Sequence, residues 1–322
     1  MRGWIMLLWA GLFAAAAAAA ELKPWTREWV DAVWQDHLLA RGAQLAGAGA
    51  VEEALYRDAL RVDPKSADAV EQLRTYYAGA GEPVLAAGAA LYGQLLEPSW
   101  PAWKDTLDRE LPAIARSRAA PSSEEDQAFY AEGLDAMLEN VRSNNLLRAE
   151  LDVRRLLVRF PCNAKLLENL CTFGRLGGEP AAQAMRWLVF AELHPTNFLV
   201  ANNLAVTLEG LDLPGPAHDA LAPFLDGHEN DAYLMGNAIR LAEAAGRLDR
   251  AAQVAAQWRE CQPGVPEAWL ASTRVALRQG RLDEAHRFWV ETVKRLDADQ
   301  AEVLLREPPF AEHRARLEGG AP

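Results

Sequence analysis

The sequence is poor in the side chains that build reactive sites. Its 322 residues include three cysteines, Cys162, Cys171 and Cys261, and neither a CxxC pair nor a Cys/His spacing typical of metal ligands. The six histidines are scattered without an HExxH pattern, and the chain has neither a Gly-x-Ser-x-Gly elbow nor a glycine-rich phosphate loop. We therefore expect three free thiols, no catalytic residues, no metal and no cofactor.

Basic residues and long apolar runs are also scarce. The 33 lysines and arginines are outnumbered by 45 aspartates and glutamates, which gives a formal net charge of −12. Such a surface repels the phosphates of nucleic acids and of anionic lipids, so no nucleic acid is expected as a partner. No segment after residue 20 has the length and apolarity of a membrane span.

The first twenty residues, MRGWIMLLWAGLFAAAAAAA, differ from the rest of the chain. One basic residue precedes an uncharged apolar run that ends in small residues before Glu21, as in a secretory signal peptide with an Ala-x-Ala cleavage site. We expect an exported protein, periplasmic or secreted from a bacterium, without a membrane span once the signal is removed. The alternative is an uncleaved N-terminal membrane anchor, because the run is just long enough to cross a bilayer.

The rest of the sequence is typical of helices arranged as a repeat. Alanine is abundant and β-branched residues are few, which favours helices over strands. The stretch Gly246-Arg247-Leu248-Asp249-Arg250-Ala251 recurs 34 residues later as Gly280-Arg281-Leu282-Asp283-Glu284-Ala285. Prolines follow the same spacing in two sets, Pro161, Pro195 and Pro263 in one and Pro64 and Pro98 in the other. A period of this length indicates a repeat architecture.

This pattern resembles the tetratricopeptide repeat (TPR), with two apolar-faced helices, a small residue at their crossing and a closing proline. The resemblance implies an all-α fold, a right-handed α-solenoid of 34-residue helix-turn-helix units whose first helices line a concave groove. Turn glycines Gly81, Gly178, Gly246 and Gly280 and helix-initiating prolines Pro83, Pro180 and Pro214 fit this reading.

The register divides the chain into segments. Residues 1–20 are the signal peptide, and 21–100 hold an N-terminal helix and two TPR-like units at 33–66 and 67–100. Residues 101–129 are expected to form an out-of-register helix and linker, and 300–322 a terminal cap. Five consecutive units fill 130–299, namely 130–163, 164–197, 198–231, 232–265 and 266–299. Whether 101–129 is a hinge between two partner-binding blocks stays open.

The candidate binding site lies on the first helices. Asn169, Asn203 and Asn237 occupy the sixth position of three consecutive units, and an asparagine side chain can both donate to and accept from a peptide backbone. Similar asparagine ladders occur in TPR domains that bind peptides. The basic candidates for the site are Lys165, Arg175, Arg240 and Arg274. With Arg278 they make five groove-facing cations against four acids, Glu168, Glu209, Glu243 and Glu267, so no basic clamp is expected. Arg240 and Arg274 lie one period apart and would suit a carboxylate; the alternative is that they are solvated helix-face residues.

The predicted function is a non-catalytic, exported TPR scaffold that binds a protein or peptide in its concave groove, in envelope assembly or secretion. The alternative is a carbohydrate-active α/α-toroid enzyme or a polysaccharide-binding protein, suggested by eleven tryptophans in an exported chain. A gap-free 34-residue register argues against a toroid, and Trp187, Trp258, Trp269 and Trp289 occupy repeat positions where we expect core packing. A homo-oligomer remains open.

Overall fold

The computed structural model of the chain describes residues 50–176 and 178–319. The predicted signal peptide and the predicted first helix of the unit at 33–66 lie outside these residues. The described part contains helices, turns and loops but no strand. It divides into two compact units, with the boundary between Thr207 and Leu208; the unit before the boundary is called unit 1 and the unit after it unit 2.

Unit 1 begins with four helices, α1 (Ala50–Val62), α2 (Ala67–Gly79), α3 (Pro83–Leu96) and α4 (Pro101–Ala115). Ser66 caps α2, because its side chain accepts a hydrogen bond from the Ala69 amide. The start of α4 lies one repeat period after the start of α2 and keeps its phase, whereas the next helix begins only at Glu124. The register predicted to break at 101–129 is therefore lost after α4.

Helix pairs follow along the rest of the chain. Unit 1 continues with α5 (Glu124–Arg142), α6 (Leu146–Arg159), α7 (Ala164–Leu176), α8 (Pro180–Leu193) and α9 (Phe198–Gly210), which extends past the boundary. Unit 2 contains α10 (Pro214–Leu221), α11 (Ala232–Ala244), α12 (Leu248–Cys261), α13 (Pro266–Arg278), α14 (Leu282–Val293), α15 (Ala298–Leu304) and α16 (Arg314–Leu317).

A left-handed residue joins the two helices of each pair. The backbone φ is positive at the same turn position of five consecutive repeats, at Asn144, Gly178, Asp212, Gly246 and Gly280. Glycine adopts this conformation without a steric penalty, and asparagine and aspartate are the other residues that tolerate it best. The turn geometry therefore repeats even where the glycine is replaced.

Helix α3 is buried on nearly all sides of its N-terminal half, because its sequence PVLAAGAALYG has no polar face. Its Gly88 lies against the backbone of α8: a Cβ added there would be 2.5 Å from the Met185 carbonyl oxygen. The N-terminal helices thus pack directly on the second helix of a later repeat. The segment 101–129 connects two parts of one compact unit.

The end of the chain covers the last helix pair of unit 2. Leu305, Phe310 and Leu317 are buried in one cluster with Ala285 and Trp289 of α14. The rings of Trp289 and Phe310 lie 5.8 Å apart. This cluster removes the apolar side of α14 from water, as an open repeat end requires.

Candidate functional site

The candidate site is one side of the first helices, called here the first-helix face. It comprises the second, sixth and ninth residues of each first helix, which share one side of a helix because they are spaced i, i+4 and i+7. In unit 1 these residues are Lys165, Asn169 and Thr172 on α7 and Leu199, Asn203 and Val206 on α9. In unit 2 they are Tyr233, Asn237 and Arg240 on α11 and Glu267, Ala271 and Arg274 on α13.

The three predicted asparagines have different surroundings. Asn169 is half-buried, and its Nδ2 lies 3.6 Å from the Met137 sulfur on α5. Asn237 is also half-buried, and its Oδ1 accepts a hydrogen bond of 3.3 Å from Arg240. Asn203 is exposed, and within the described residues its amide has no hydrogen-bond partner. Asn203 is therefore the member of the set whose donors and acceptor remain available to a ligand.

Apolar side chains flank Asn203 on the same side of α9. Leu199 is 69% exposed and Val206 is 52% exposed. Tyr233, at the position equivalent to Leu199 in unit 2, is 62% exposed. These residues were not predicted from the sequence, although they occupy the same repeat positions as Lys165 and Arg240, which were predicted because of their charge.

The two predicted groove arginines of unit 2 are already paired. Arg240 forms a two-pronged ion pair with Glu209, in which Nη2 and Oε2 are 2.9 Å apart. Arg274 contacts Glu243 in the same way, at 2.9 Å from Nε and 2.8 Å from Nη2. Each pair joins residues 31 positions apart and so links consecutive first helices. These arginines hold neighbouring repeats together.

The other two predicted basic residues differ from each other. Lys165 is exposed and pairs with Glu168 one helical turn away, at 2.9 Å. Arg175 is exposed near the end of α7, and its side chain has no acceptor among the described residues. An exposed i, i+3 pair of the Lys165 type contributes at most a few tenths of a kcal/mol to stability.

A buried cluster of charges lies elsewhere in unit 1, between the N-terminal helices and α6 and α8. Its buried and half-buried members are Arg57, Arg154, Arg186, Glu53, Glu82, Glu150 and Glu179, and the exposed Arg61 at its edge contacts both Glu179 and Asp58. We call this set the buried charge cluster.

Arg154 and Arg186 on the second helices reach carboxylates of several helices. Arg154 donates to Glu53 at 2.8 Å and to Glu82 at 2.8 Å, on α1 and just before α3. Arg186, which is 2% exposed, contacts Glu150 at 2.6 Å. Burial alone would raise the pKa of Glu150, but the guanidinium groups of Arg186, Arg57 and Arg154 outweigh burial and lower it. The cluster is a structural device that fixes the N-terminal helices on the repeats.

The helix starts identify the repeat. First helices begin at Ala164, Phe198, Ala232 and Pro266, and second helices begin at Leu146, Pro180, Pro214, Leu248 and Leu282. Within each series, successive starts are separated by one constant interval, which equals the period read from the sequence. The chain has a tetratricopeptide-repeat fold. The all-α repeat architecture that the sequence predicts is confirmed.

Comparisons with known proteins give distant structural likenesses. No protein-family model matches the sequence, and no curated protein matches it significantly. The MamA protein is 17% identical, with a TM-score of 0.42 over 52% of this chain and 91% of MamA. YrrB, described as a TPR protein with an unusual peptide-binding site, is 16% identical, with a TM-score of 0.42 over 53% of this chain and 89% of YrrB. PilF of Pseudomonas aeruginosa is 15% identical, with a TM-score of 0.34 over 87% of this chain and 96% of PilF.

The aromatic residues of the TPR units pack mainly into the core. Trp187, Trp258 and Trp289 are buried, and Trp269 is half-buried. In the part of the chain that the structure describes, no group of three His, Cys, Asp or Glu side chains is placed to hold a metal ion. None of the helices in this part is both long and apolar enough to cross a bilayer. The three cysteines are free thiols.

His218 on α10 is a buried histidine without a reactive partner. It is 2% exposed, and its Nε2 has no hydrogen-bond partner among the described residues. Its Nδ1 lies 3.4 Å from Asp219, which is itself paired with Arg247. Burial lowers the pKa of His218; Asp219 opposes this, whereas Arg247 and Arg250 add to it. His218 is therefore held neutral near pH 7.

Proposed function

We propose that the chain is a non-catalytic scaffold that binds an extended segment of a partner protein on its first-helix face. The observation that carries this proposal is the unpaired amide of Asn203 between the exposed side chains of Leu199 and Val206. One amide donates to and accepts from the backbone of the segment, and the two apolar side chains bury its side chains.

The chemistry of this face defines the segment. Along α9 the face is uncharged, because Leu199, Asn203 and Val206 carry no formal charge. The segment is therefore extended and apolar at alternate residues, since alternate side chains of an extended chain point the same way. Covering Leu199 and Val206 contributes about 1 to 2 kcal/mol each.

Photocrosslinking tests this proposal in cells. A photoreactive phenylalanine at position 203 should form an adduct with a partner, whereas the same residue at Glu192, exposed on the second helix α8, should not. The captured segment is then made as a peptide and its affinity measured. Leu199→Ser combined with Asn203→Ala should weaken binding at least tenfold, and Glu192→Ala, outside the first-helix face, should leave it unchanged. Equal adducts at 203 and 192, or an unchanged affinity, contradict the proposal.

We further propose that the scaffold is exported and acts in envelope assembly or secretion. The layout of residues 1–20 supports this location. Expression of the full chain in a bacterium, fractionation and intact-mass measurement test it. A periplasmic chain that begins at Glu21 is expected; a cytoplasmic chain that retains residues 1–20 contradicts export, and a membrane-bound one indicates an anchor.

A further inference from the structure

The second-helix side of unit 2 contains an open cleft at an arginine that forms no ion pair within the described residues. The cleft has a volume of about 630 Å³ and lies among α12, α13 and α14, where Arg259, Trp269, Glu284, Arg287 and Phe288 line it. This volume is within the range of ligand-binding clefts in proteins. None of these residues belongs to the first-helix face.

Two aromatic rings hold the Arg259 guanidinium in place. Its central carbon lies 4.0 Å from the ring centroid of Phe288 and 5.3 Å from that of Trp269. Cation–π contacts of this kind orient a guanidinium but leave its N–H groups without acceptors. Within the described residues Arg259 donates no hydrogen bond, and its Nε is buried without a partner. Burial lowers the pKa of Arg259 and outweighs the attraction of Glu284 and Glu260, which acts to raise it.

The carboxylates that line the cleft are paired with other cations. Glu284 contacts Arg281 at 2.7 Å, and Glu291 contacts Arg295 at 2.9 Å and also Lys294. Neither forms an ion pair with Arg259. The guanidinium of Arg259 is half-buried and has free N–H donors, while the nearby carboxylates form ion pairs with other residues. An anion from outside the chain could therefore bind to Arg259.

We propose that this cleft binds a carboxylate of an acidic peptide segment of a partner protein. The carboxylate accepts from the free N–H groups of Arg259, and the exposed Arg287 adds a second positive charge. A planar guanidinium fixed between rings suits a carboxylate because both groups are planar and can bond through two atoms each. The open cleft admits a peptide segment, and the faces of Trp269 and Phe288 cover its aliphatic parts. This site is independent of the first-helix face.

Isothermal titration calorimetry of the full chain with acetyl-hexaglutamate-amide tests this site. One peptide should bind per chain, and Arg259→Gln should weaken binding at least tenfold. Arg250→Gln, on the same helix but exposed and bonded to Gln253, is the matched control and should change affinity less than twofold. Glu284→Gln should strengthen binding, because it removes a negative charge from the cleft.

Several results would overturn the proposal. One is the absence of measurable heat with the peptide, and another is equal affinity for the wild type and Arg259→Gln. A third is weaker binding by Glu284→Gln. This variant is expected to bind more tightly, and a misfolded protein would not show such an increase. Citrate bound as tightly as the peptide would overturn the assignment to a peptide segment. The variant Leu199→Ser with Asn203→Ala should bind hexaglutamate normally, so failure here and failure of the first-helix face are separable.

Discussion

Neutralising Glu150 should destabilise unit 1 by about 3 to 5 kcal/mol, because a buried ion pair that loses one partner leaves an uncompensated charge. Glu150 is buried, and its Oε1 lies 2.6 Å from Arg186 and 3.2 Å from Arg57. Glu150→Gln keeps the shape of the side chain but removes its charge. The buried charge cluster then has one negative charge fewer, and Arg186 and Arg57 lose the carboxylate that they share.

The size of the effect follows from these contacts. At an effective dielectric constant of about 20, each of the two attractions amounts to roughly 5 to 6 kcal/mol. In the wild type, much of this attraction is offset by the free energy needed to remove the carboxylate from water. A neutral glutamine has a smaller desolvation penalty, so the net loss is smaller than the sum of the two attractions. The residual loss remains a large part of the total stability of a domain, which is about 5 to 15 kcal/mol.

Hydrogen exchange at native pH is the suitable assay, because it reports the stability of each helix separately. Amides of α1, α6 and α8 should exchange faster in Glu150→Gln, and amides of α11 to α14 in unit 2 serve as the internal reference. Glu168→Gln is the matched control. Its exposed pair with Lys165 should contribute less than about 0.5 kcal/mol.

The pH dependence and a second substitution sharpen the test. The pKa of Glu150 is lowered from its ordinary 4.5, so the wild-type advantage over Glu150→Gln is full above that pH and is lost as pH falls through the lowered pKa. Adding Arg186→Met removes a guanidinium that has lost its carboxylate and should recover about 1 to 3 kcal/mol. If amides of the Glu150→Gln variant exchange as slowly as those of the wild type, the claim that this buried charge contributes strongly to the stability of unit 1 is refuted.

Three further predictions concern backbone and buried positions. Gly246→Ala should destabilise unit 2 by about 1 kcal/mol in urea unfolding, because φ is +71° there, whereas Asn144→Gly, at the same turn position in unit 1, should lose no stability. Gly88→Ala should lower the free energy of unfolding by about 1 to 3 kcal/mol, measured by thermal unfolding, since its Cβ would collide with a carbonyl oxygen of α8. In the same assay Gly79→Ala should be neutral or stabilising, because a Cβ at that position has open space. The depressed pKa of His218 means that the unfolded chain binds its proton more readily, so unit 2 should lose stability as pH falls below about 6.5, and His218→Gln should flatten this slope.

Local signals in the sequence predicted much of the fold. Helices do begin at Pro83, Pro180 and Pro214, because a proline at the first helical position lacks only an N–H that has no partner there. The left-handed turns at Asn144 and Asp212 were not predicted, because turns were assigned from glycine residues alone. Extending the glycine phase from Gly178 by one repeat period in each direction would have found both.

The candidate site was predicted less completely. Asn203 is exposed as expected, but the pairing of Arg240 with Glu209 depends on how consecutive first helices face each other. The sequence did contain a signal for it. Glutamate and arginine recur at a spacing of 31 residues in Glu209/Arg240 and Glu243/Arg274, slightly less than the repeat period, which places them on adjacent helices.

The buried charge cluster could not be predicted from repeat logic. That logic assumes that each repeat contacts mainly its neighbours. Arg154 instead reaches Glu53 and Glu82, which lie 101 and 72 residues earlier in the chain. Since these contacts depend on helices α1 and α3 packing against α6 and α8, no local spacing indicates them.

Buried arginines differ in whether the chain itself supplies a carboxylate to pair with them, and the two units give one example of each case. In unit 1, Arg154 and Arg186 on the second helices are satisfied by carboxylates of the chain itself: Arg154 by Glu53 on α1 and Glu82 just before α3, and Arg186 by Glu150 on α6. In unit 2, Arg259 also lies on a second helix and is half-buried between aromatic rings, but the neighbouring glutamates bind other cations. Burying a guanidinium is costly unless an anion accompanies it. The two arginines of unit 1 have that anion within the fold, and Arg259 gains it only when a carboxylate from outside the chain enters the cleft.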